Sequence, residues 1–387
     1  MNNTKNVKEL IAEVLNEAAD VLTTGKCLTR VKVGITILGS EHGISEVLAG
    51  AELAQKNLSD TAEIIVIGPS DADTALSKSA AANEADCHQV MEKLLESGEL
   101  DAAVTMHYNF PIGTSTVGLV ITPGRGKMMF LATTTGTSAT DRVEGMVRNA
   151  VYGVAAAKAY GIAAPSVGIL NVDGARQTER ILNELKANGY TINFAVSQRA
   201  DGGVVMRGND LLAGVPDVMV TDSLTGNMLM KVFSAYTTGG SYESLGYGYG
   251  PGVGEGFCKI INIISRASGA PVIAGAIEYA AAMAKGKLSQ VAAIEISSAK
   301  NAGLNNLAKP KKSDTEVLIE VKTPAKKVVC EQISGVDVLE LENAQKLLWQ
   351  NNLYAETGMG CTGPIILVAK EDYSAAVKLL KDNQIIA

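Results

Sequence analysis

Short runs of β-branched and apolar residues alternate with amphipathic helical patterns along most of this chain. Most of these runs place apolar residues at neighbouring positions and therefore on both sides of the strand, which indicates strands that are buried on both faces. A helix-length stretch separates most neighbouring runs, so the pattern predicts an α/β fold of three layers, in which helices cover both faces of a mostly parallel sheet. The predicted strands are 31–38, 63–68, 101–106, 127–132, 166–172, 190–196 and 216–221.

The chain divides into three predicted regions. Residues 1–30 form an N-terminal amphipathic helix, because apolar residues recur there at helical spacing on one face. Residues 31–308 form a large α/β domain. The stretch 309–314 combines lysines with a proline, which is typical of an exposed linker. Residues 315–387 then restart the alternation as a small C-terminal α/β unit.

The composition excludes several classes of function. The chain has 387 residues, of which 47% are hydrophobic, and a net charge of −7. No apolar stretch reaches the ~18 residues of a membrane span, and no basic block suggests a nucleic-acid partner. Five cysteines, an odd number, without a secretory signal predict reduced thiols and a cytoplasmic location. Their spacing does not match that of metal ligands, so no metal site is expected.

Cys361 stands in a glycine-rich run, 357–364, between an amphipathic helix and an apolar strand. Glycine allows turns with positive φ, and successive turns of this kind direct several N–H groups into one concavity that favours an anion. Such donors increase the thiolate population of a cysteine, whose ordinary pKa is about 8.5. We therefore predict that Cys361 is a nucleophile, the alternative being a buried structural cysteine. The amide donors predicted around it belong to Gly358, Gly360, Thr362 and Gly363.

Two turns rich in hydroxyl groups follow predicted strands, and a third lies at 112–116. In open α/β sheets, ligands bind outside the carboxyl ends of the strands, where helix N-termini present free amides to phosphate. The same residue types are also common in ordinary turns and caps, which is the alternative interpretation. The candidate phosphate-binding residues are Asp222, Ser223, Thr225, Gly226 and Asn227 in one turn, and Thr134, Thr135, Gly136 and Thr137 in the other.

Two further features have an open interpretation. The glycine-dense run 239–254 is predicted to be irregular, either as a flexible lid or as a long surface loop. It lacks the strand-to-helix context of a dinucleotide-binding fingerprint. His42 follows the end of the first predicted strand and is either an acid–base residue or an ordinary polar loop histidine.

The segments 167–172 and 217–231 resemble the PlsX-type phosphate acyltransferases, which transfer an acyl group from a carrier thioester to inorganic phosphate. This resemblance covers about residues 31–300. It implies the three-layer fold shared by PlsX and isocitrate-dehydrogenase-like proteins.

The whole chain, including the run around Cys361, resembles the smaller-subunit family of component C of the glycine/sarcosine/betaine reductase complex. The resemblance implies that an acetyl group arrives as a selenoester on a selenoprotein, passes to Cys361 and leaves as acetyl phosphate. It implies two protein partners, the larger component C subunit and the acetyl-carrying selenoprotein, in a hetero-oligomer or homo-oligomer. Inorganic phosphate is then a substrate, and no tightly bound cofactor is expected.

Two other functions stay open at this point. A stand-alone phosphate acetyl- or butyryltransferase would use coenzyme A and needs no covalent thioester. A non-catalytic scaffold subunit would organise a larger complex, with Cys361 in a structural role. A decarboxylating dehydrogenase of the same architecture is disfavoured, because the sequence lacks a convincing metal–carboxylate cluster and a dinucleotide motif.

Overall fold

A computed structural model describes residues 30–199, 202–309, 323–336, 340–360, 363–383 and 385–386. The strands of the main sheet are β1 Val31–Thr36, β2 Ala62–Gly68, β3 Ser77–Ala80, β4 Ala102–Thr105, β5 Thr114–Ile121, β6 Met128–Thr137, β7 Ser166–Leu170, β8 Asn193–Phe194, β9 Val205–Met206, β10 Val218–Val220, β11 Gly250–Gly254 and β12 Ile261–Ile263. Their order across the sheet is β3-β2-β1-β4-β12-β11-β5-β6-β10-β7-β8, and β9 pairs with β7.

Helices cover both faces of this sheet. They are α1 Ile44–Asn57, α2 Glu84–Ser97, α3 Arg142–Tyr160, α4 Ala175–Ala187, α5 Gly208–Ala213, α6 Ser223–Ala235, α7 Ala270–Lys285, α8 Leu288–Asn301 and α9 Leu304–Leu307. One buried apolar cluster joins α1, α3, α4, α7 and α8 to one face. A second cluster joins α2 and α6 to the other face. The predicted three-layer α/β fold with a mostly parallel sheet is confirmed.

The seven predicted strands correspond to β1, β2, β4, β6, β7, β8 and β10. Five strands of the main sheet were not predicted. Among them, β5 begins with three hydroxyl residues and β11 has the sequence Gly-Pro-Gly-Val-Gly, so neither begins with an apolar run. These segments become strands because their neighbours in the sheet supply hydrogen bonds and cover both faces.

The centre of the sheet reverses direction three times. β11 is antiparallel to both β12 and β5, and β5 is antiparallel to β6, whereas the strands on either side of this centre pair in parallel. The two parallel halves consequently point in opposite directions. β6, β7 and β10 end at one edge, named here the β6 edge, and β1, β4 and β12 end at the opposite one, the β1 edge.

The prediction that 239–254 is irregular throughout is wrong for its last five residues, which form β11. Gly250 has φ +85°, and a Cβ placed there would lie 1.8 Å from the carbonyl oxygen of Val117. A Cβ at Gly252 would lie 2.3 Å from the Phe110 ring. Glycine is therefore required here by close packing in the middle of the sheet, and β11 cannot act as a lid.

The C-terminal part of the described chain has its own core and a small antiparallel sheet. Its strands are β13 Glu331–Ser334, β14 Ala355–Gly360 and β15 Gly363–Val368 in the order β13-β15-β14, and its helices are α10 Leu341–Gln350 and α11 Tyr373–Asp382. The predicted N-terminal helix lies outside the described residues, apart from Arg30, and the proposed domain boundaries stay predictions. None of the described helices is long and apolar enough to cross a membrane.

Candidate functional site

The three hydroxyl-rich segments of the sequence meet at the β6 edge. Thr114 pairs with Thr137 across β5 and β6, and Val220 at the end of β10 pairs with Ala132. The N–H of Thr221 then donates to the carbonyl oxygen of Ala132 at 2.7 Å. Segments that are far apart in the sequence therefore form one surface, as expected for strands whose carboxyl ends meet at one edge.

The residues Thr134 to Thr137 were predicted as a turn after a strand, and this is wrong because they continue β6 itself. The Thr134 side chain is fully buried. Its Oγ1 donates to the carbonyl oxygen of Tyr249 at 2.6 Å and lies 2.6 Å from Oγ1 of Thr116. The N–H of Thr135 donates to the same Thr116 hydroxyl at 3.0 Å. Thr134 thus fixes β5, β6 and β11 to one another.

Helix α6 begins directly against the end of β6. Asp222 is its N-cap, and one carboxylate oxygen accepts hydrogen bonds from the backbone N–H groups of Leu224 and Thr225. A Cβ at Gly226 would lie 1.7 Å from the carbonyl oxygen of Thr133, so only glycine permits this close approach. The Asn227 amide donates to the carbonyl oxygen of Thr134 at 3.0 Å. The first turn of α6 is therefore held rigidly on the strand.

A cavity of about 260 Å³ lies between the N-termini of α3 and α6. Asp141 caps α3 by accepting a hydrogen bond from the N–H of Glu144 at 2.9 Å. Two helix N-termini, each with the positive end of its dipole, thus border one cavity. Its lining comprises Thr133, Gly136, Thr137, Ser138, Ala139, Thr140, Asp141, Arg142, Gly145, Met146, Asn149, Asp222, Ser223 and Leu224.

The predicted phosphate-binding residues divide into two groups. Gly136, Thr137, Asp222 and Ser223 line the cavity. Thr134, Thr135, Thr225, Gly226 and Asn227 are absent from its lining, and the Thr225 hydroxyl donates to the Asp222 carboxylate at 2.7 Å. The second group acts as the framework that positions the first. Phosphate binding by any of them stays a prediction.

The charge around the cavity is mixed. Asp141 and Asp222 contribute carboxylates, which repel an anion, although each is engaged by helix N–H groups. Arg142 is the cation among the lining residues, and its guanidinium lies 3.4 Å from the Asp173 carboxylate. Ser223, at the first position of α6, is exposed. A bound anion would therefore meet the Ser223 hydroxyl, Arg142 and those helix amides that the two aspartates leave free.

The glycine run around Cys361 is mostly strand, so the prediction that it forms a loop of successive turns is wrong for 357–360 and for Gly363. Gly358 pairs with Ile365 and Gly360 pairs with Gly363 in the antiparallel β14–β15 ladder. Cys361 and Thr362, which separate Gly360 from Gly363 in the sequence, lie outside the described residues. The three predicted amide donors at Gly358, Gly360 and Gly363 belong to extended strand, not to a succession of turns.

The C-terminal unit contacts the large domain close to the cavity. The Glu340 carboxylate accepts hydrogen bonds from Arg180 at 2.8 Å and from Gln177 at 3.4 Å, both on α4. Asp173, the partner of the cavity residue Arg142, lies two residues before α4 begins. The unit that carries Cys361 is therefore attached to the helix beside the cavity.

His42 does not lie near the phosphate candidates. It follows β1 and therefore sits at the β1 edge, where its Nε2 is 3.2 Å from the carbonyl oxygen of Ala267 and its ring centroid is 5.2 Å from that of Tyr242. Hydrogen bonds from the Ala270 N–H and the Tyr242 hydroxyl lower the pKa of the neighbouring Glu46 carboxyl. An acid–base role for His42 stays a prediction, at a place separate from the cavity.

A polar cluster at the β1 edge was missed by sequence reasoning. Lys231, near the end of α6, places Nζ 3.5 Å from Glu243 and 3.4 Å from the Ser265 hydroxyl. Glu243 is almost completely buried, and Ser268 donates to its other carboxylate oxygen at 3.1 Å. Burial and the Glu243 charge raise the pKa of Tyr249. The one signal in the sequence was that Lys231 follows Asn227 by four residues, which places both side chains on the same side of one helix.

Among the described residues, no group of three or more His, Cys, Asp and Glu side chains has a geometry that could hold a metal ion. A small cavity at the β1 edge does bring His88 and His107 together beside Arg266. Burial and the neighbouring His107 lower the pKa of His88. Arg266 donates to Glu84 at 3.0 Å, and this interaction lowers the pKa of that carboxyl.

Comparison with known proteins gives the chain its family. The family model described as "Fatty acid synthesis protein" matches residues 31–367. The chain belongs to this family. A glycine/sarcosine/betaine reductase complex component C subunit alpha from Peptoclostridium acidaminophilum is 57% identical over 98% of this chain and 99% of its own length. The chain therefore also belongs to the family of these component C alpha subunits, as the resemblance predicted.

More distant relatives match a part of the chain. A phosphate acyltransferase from Thermotoga petrophila is 27% identical over 52% of this chain and 67% of its own length. Among solved structures, a branched-chain phosphotransacylase from Enterococcus faecalis superposes with a TM-score of 0.43 and 17% identity, covering 66% of this chain and 99% of that protein.

Proposed function

We propose that this protein transfers an acetyl group to inorganic phosphate and forms acetyl phosphate, as a subunit of a glycine/sarcosine/betaine reductase system. The observation that carries the proposal is the cavity bordered by the N-termini of α3 and α6, in a chain whose relatives include phosphate acyltransferases. Helix N-termini are common binding sites for phosphate because their free amides and dipoles favour anions. The 57% identical relative, a subunit of such a reductase complex, supplies the physiological context.

The reaction has two acyl transfers. In the first, the Cys361 thiolate attacks the carbonyl carbon of a selenoester, a carbon–sulfur bond forms, and the selenolate leaves. In the second, a phosphate oxygen attacks the resulting thioester, the carbon–sulfur bond breaks, and the Cys361 thiolate is regenerated. Each tetrahedral intermediate carries an oxyanion that needs N–H donors, and we assign these to backbone amides next to Cys361 that the β14–β15 ladder leaves free.

The attachment of the C-terminal unit supports a shared site. Glu340 is held by α4, and α4 adjoins the Arg142 side of the cavity. In this scheme, phosphate bound in the cavity attacks a thioester carried on the β14–β15 hairpin. In this scheme Ser223 and Thr137 donate to phosphate, and Arg142 balances part of its charge.

The proposed partners follow from the same scheme. The acetyl donor is a selenoprotein, and the larger component C subunit completes the assembly. Inorganic phosphate is a substrate, and the scheme needs no tightly bound cofactor because the acyl group rests on the protein. A cytoplasmic location fits a reaction that uses a reduced thiolate.

Labelling with acetyl phosphate tests the covalent step. The purified full-length chain is incubated with acetyl phosphate that is radiolabelled in the acetyl group, and the labelled peptide is identified by mass spectrometry. We expect a hydroxylamine-sensitive label on Cys361, lost in Cys361→Ser. Cys258→Ser and Cys330→Ser are matched controls, because both thiols are free and exposed and both variants should keep the label.

The phosphate step is tested by the exchange of radioactive phosphate into acetyl phosphate. An acetyl-enzyme supports this exchange without coenzyme A, and Cys361→Ser should abolish it. Exchange that requires coenzyme A and survives this substitution would instead identify a stand-alone phosphate acyltransferase. The scaffold function would be indicated by two results together: the chain shows neither label nor exchange, and the assembled complex stays active when it carries Cys361→Ser.

A further inference from the structure

The strand register of the C-terminal unit shows which end of the unit carries the cysteine hairpin. Ser334, the last residue of β13, lies across the ladder from Ile365, and Ile365 lies across from Gly358 on its other side. Both β13 and β14 are antiparallel to β15, so they are parallel to each other and point to the hairpin that carries Cys361. β13 ends two strand residues, about 7 Å, before the last pair of that hairpin.

Glu340 lies at this same end of the unit. It follows β13 and is the residue directly before α10. The second half of α10 contacts the beginning of β14, because the side chains of Gln345 and Trp349 donate to the carbonyl oxygen of Ala355 at 2.9 and 3.0 Å. The chain reverses between α10 and β14, so α10 begins toward the hairpin and runs away from it. Glu340 and the cysteine hairpin therefore share one end of the C-terminal unit.

The large domain binds Glu340 at the β6 edge. One carboxylate oxygen accepts hydrogen bonds from Arg180 at 2.8 Å and from Gln177 at 3.4 Å, in the first two turns of α4. The start of α4 packs on the first turn of α3, since a Cβ at Gly174 would lie 2.9 Å from the Val143 side chain. That turn of α3 borders the cavity. The contact therefore directs the hairpin end of the C-terminal unit to the edge at which the cavity lies.

The contact through Glu340 is built to be weak. The side chains of Arg180 and Glu340 are 35% and 23% exposed, and an ion pair that water reaches contributes little to stability. The second carboxylate oxygen of Glu340 is buried without a hydrogen-bond partner among the described residues, which disfavours the docked arrangement. In the described part of the chain, the core of the C-terminal unit contains no residue of the large domain. Docking of the unit is therefore easily reversed.

We propose that Arg180 and Gln177 are positioning residues for the transfer to phosphate, an inference that rests on the proposed function. By binding Glu340 they present the Cys361 thioester to the cavity, where a phosphate oxygen attacks the carbonyl carbon and the thiolate leaves. A protein donor is too large for a cavity of about 260 Å³, so the acetyl group is loaded on the thiol while the contact is open. The weak contact permits both positions of the unit.

The kinetics of phosphate exchange into acetyl phosphate test the proposal in the full-length chain. Arg180→Glu places two carboxylates opposite each other and should lower the maximal exchange rate by about 10-fold. The KM for phosphate should stay unchanged, because Arg180 is absent from the cavity lining. Arg176→Glu is the matched control, since Arg176 lies one turn earlier on α4 and pairs at 3.0 Å with Glu179 of the same helix. This control should exchange at the wild-type rate, and all variants should keep the wild-type Tm.

Two further measurements separate positioning from a general structural role. p-Nitrophenyl acetate acetylates a thiolate directly, with loss of p-nitrophenolate and without phosphate, so the acetylation of the Cys361 peptide, followed by mass spectrometry, should be as fast in Arg180→Glu as in the wild type. Glu340→Arg combined with Arg180→Glu reverses the two charges of the pair. The double variant should recover at least about half of the wild-type exchange rate, because the opposite charges face each other again.

Four results would each overturn the positioning role. They are wild-type exchange in Arg180→Glu, an equal loss in Arg176→Glu, acetylation by p-nitrophenyl acetate that slows as much as exchange does, and a double variant no faster than Arg180→Glu. A wild-type chain without any exchange would instead remove the proposed function, and this inference with it. The wild-type measurement therefore distinguishes failure of the proposed function from failure of the positioning role.

Discussion

The contact between Gly226 and the carbonyl oxygen of Thr133 joins helix α6 to the end of β6, and replacing Gly226 by alanine tests its importance. The new Cβ would be 1.7 Å from that oxygen, whereas ordinary contact begins near 3.4 Å. The first turn of α6 must therefore move by about 1.7 Å. Both neighbours are backbone and belong to a strand and a helix, so neither can adjust by a change of rotamer.

The magnitude follows from two opposing effects. Overpacking of this severity costs about 3 kcal/mol, and the better helix propensity of alanine returns about 1 kcal/mol. We expect Gly226→Ala to lower the free energy of unfolding by about 2 kcal/mol, equivalent to a fall in Tm of about 3 °C for a chain of this size. Displacing the α6 amides by more than 1 Å should also reduce the phosphate exchange rate by about 100-fold.

Gly145→Ala provides the matched control. Gly145 lies in the first turn of α3 and lines the same cavity, but a Cβ there would meet its nearest atoms at 3.5 and 3.8 Å. This variant should be as stable as the wild type, or more stable by up to about 1 kcal/mol. Thermal denaturation and the exchange rate are measured for both. Wild-type stability of Gly226→Ala would refute the reasoning, whatever the outcome for exchange.

Three further predictions concern stability. Lys158→Met removes the cation that lies 2.6 Å from the buried Glu295 carboxylate. It should lower the free energy of unfolding, measured in urea, by about 3 kcal/mol, and an unchanged urea midpoint would contradict this. The pKa of His88 is lowered in the folded protein, so below about pH 6.5 the unfolded chain binds more protons than the folded chain does. The free energy of unfolding therefore falls as the pH drops from about 6.5 through the folded-state pKa of His88. His88→Asn should flatten that dependence of Tm, and an identical slope would count against it. Gly250→Ala should destabilise far more than Gly256→Ala, since both have positive φ but only Gly250 is closely packed; equal melting temperatures would disprove this.

Sequence reasoning located the elements whose signal is local. Consecutive apolar residues predicted β2 and β10, because a strand that is buried on both faces needs apolar side chains at neighbouring positions. The N-cap at Asp222 is readable for the same reason, since its side chain bonds to N–H groups two and three residues later. The apolar strand β15 and the helix before the cysteine were also visible, although the glycine run between them was not recognised as β14.

The family relationship was likewise readable from the sequence. The 57% identity extends over almost the whole chain, so the resemblance did not depend on one motif. The structure adds less information about the hairpin that carries the cysteine, because Cys361 and Thr362 lie outside the described residues. Its chemistry consequently rests on the labelling experiment.

The pairings between distant segments were decided by the tertiary structure alone. Thr134 bonds to Tyr249, which is 115 residues later, and this contact makes Thr134 a structural residue of the central sheet. The three reversals at the centre of the sheet separate His42 from the phosphate candidates, although both follow strands. Glycine-rich β11 is a strand only because β5 and β12 flank it. Local sequence records how a segment is buried, whereas hydrogen-bond partners and strand order depend on what the rest of the chain brings beside it.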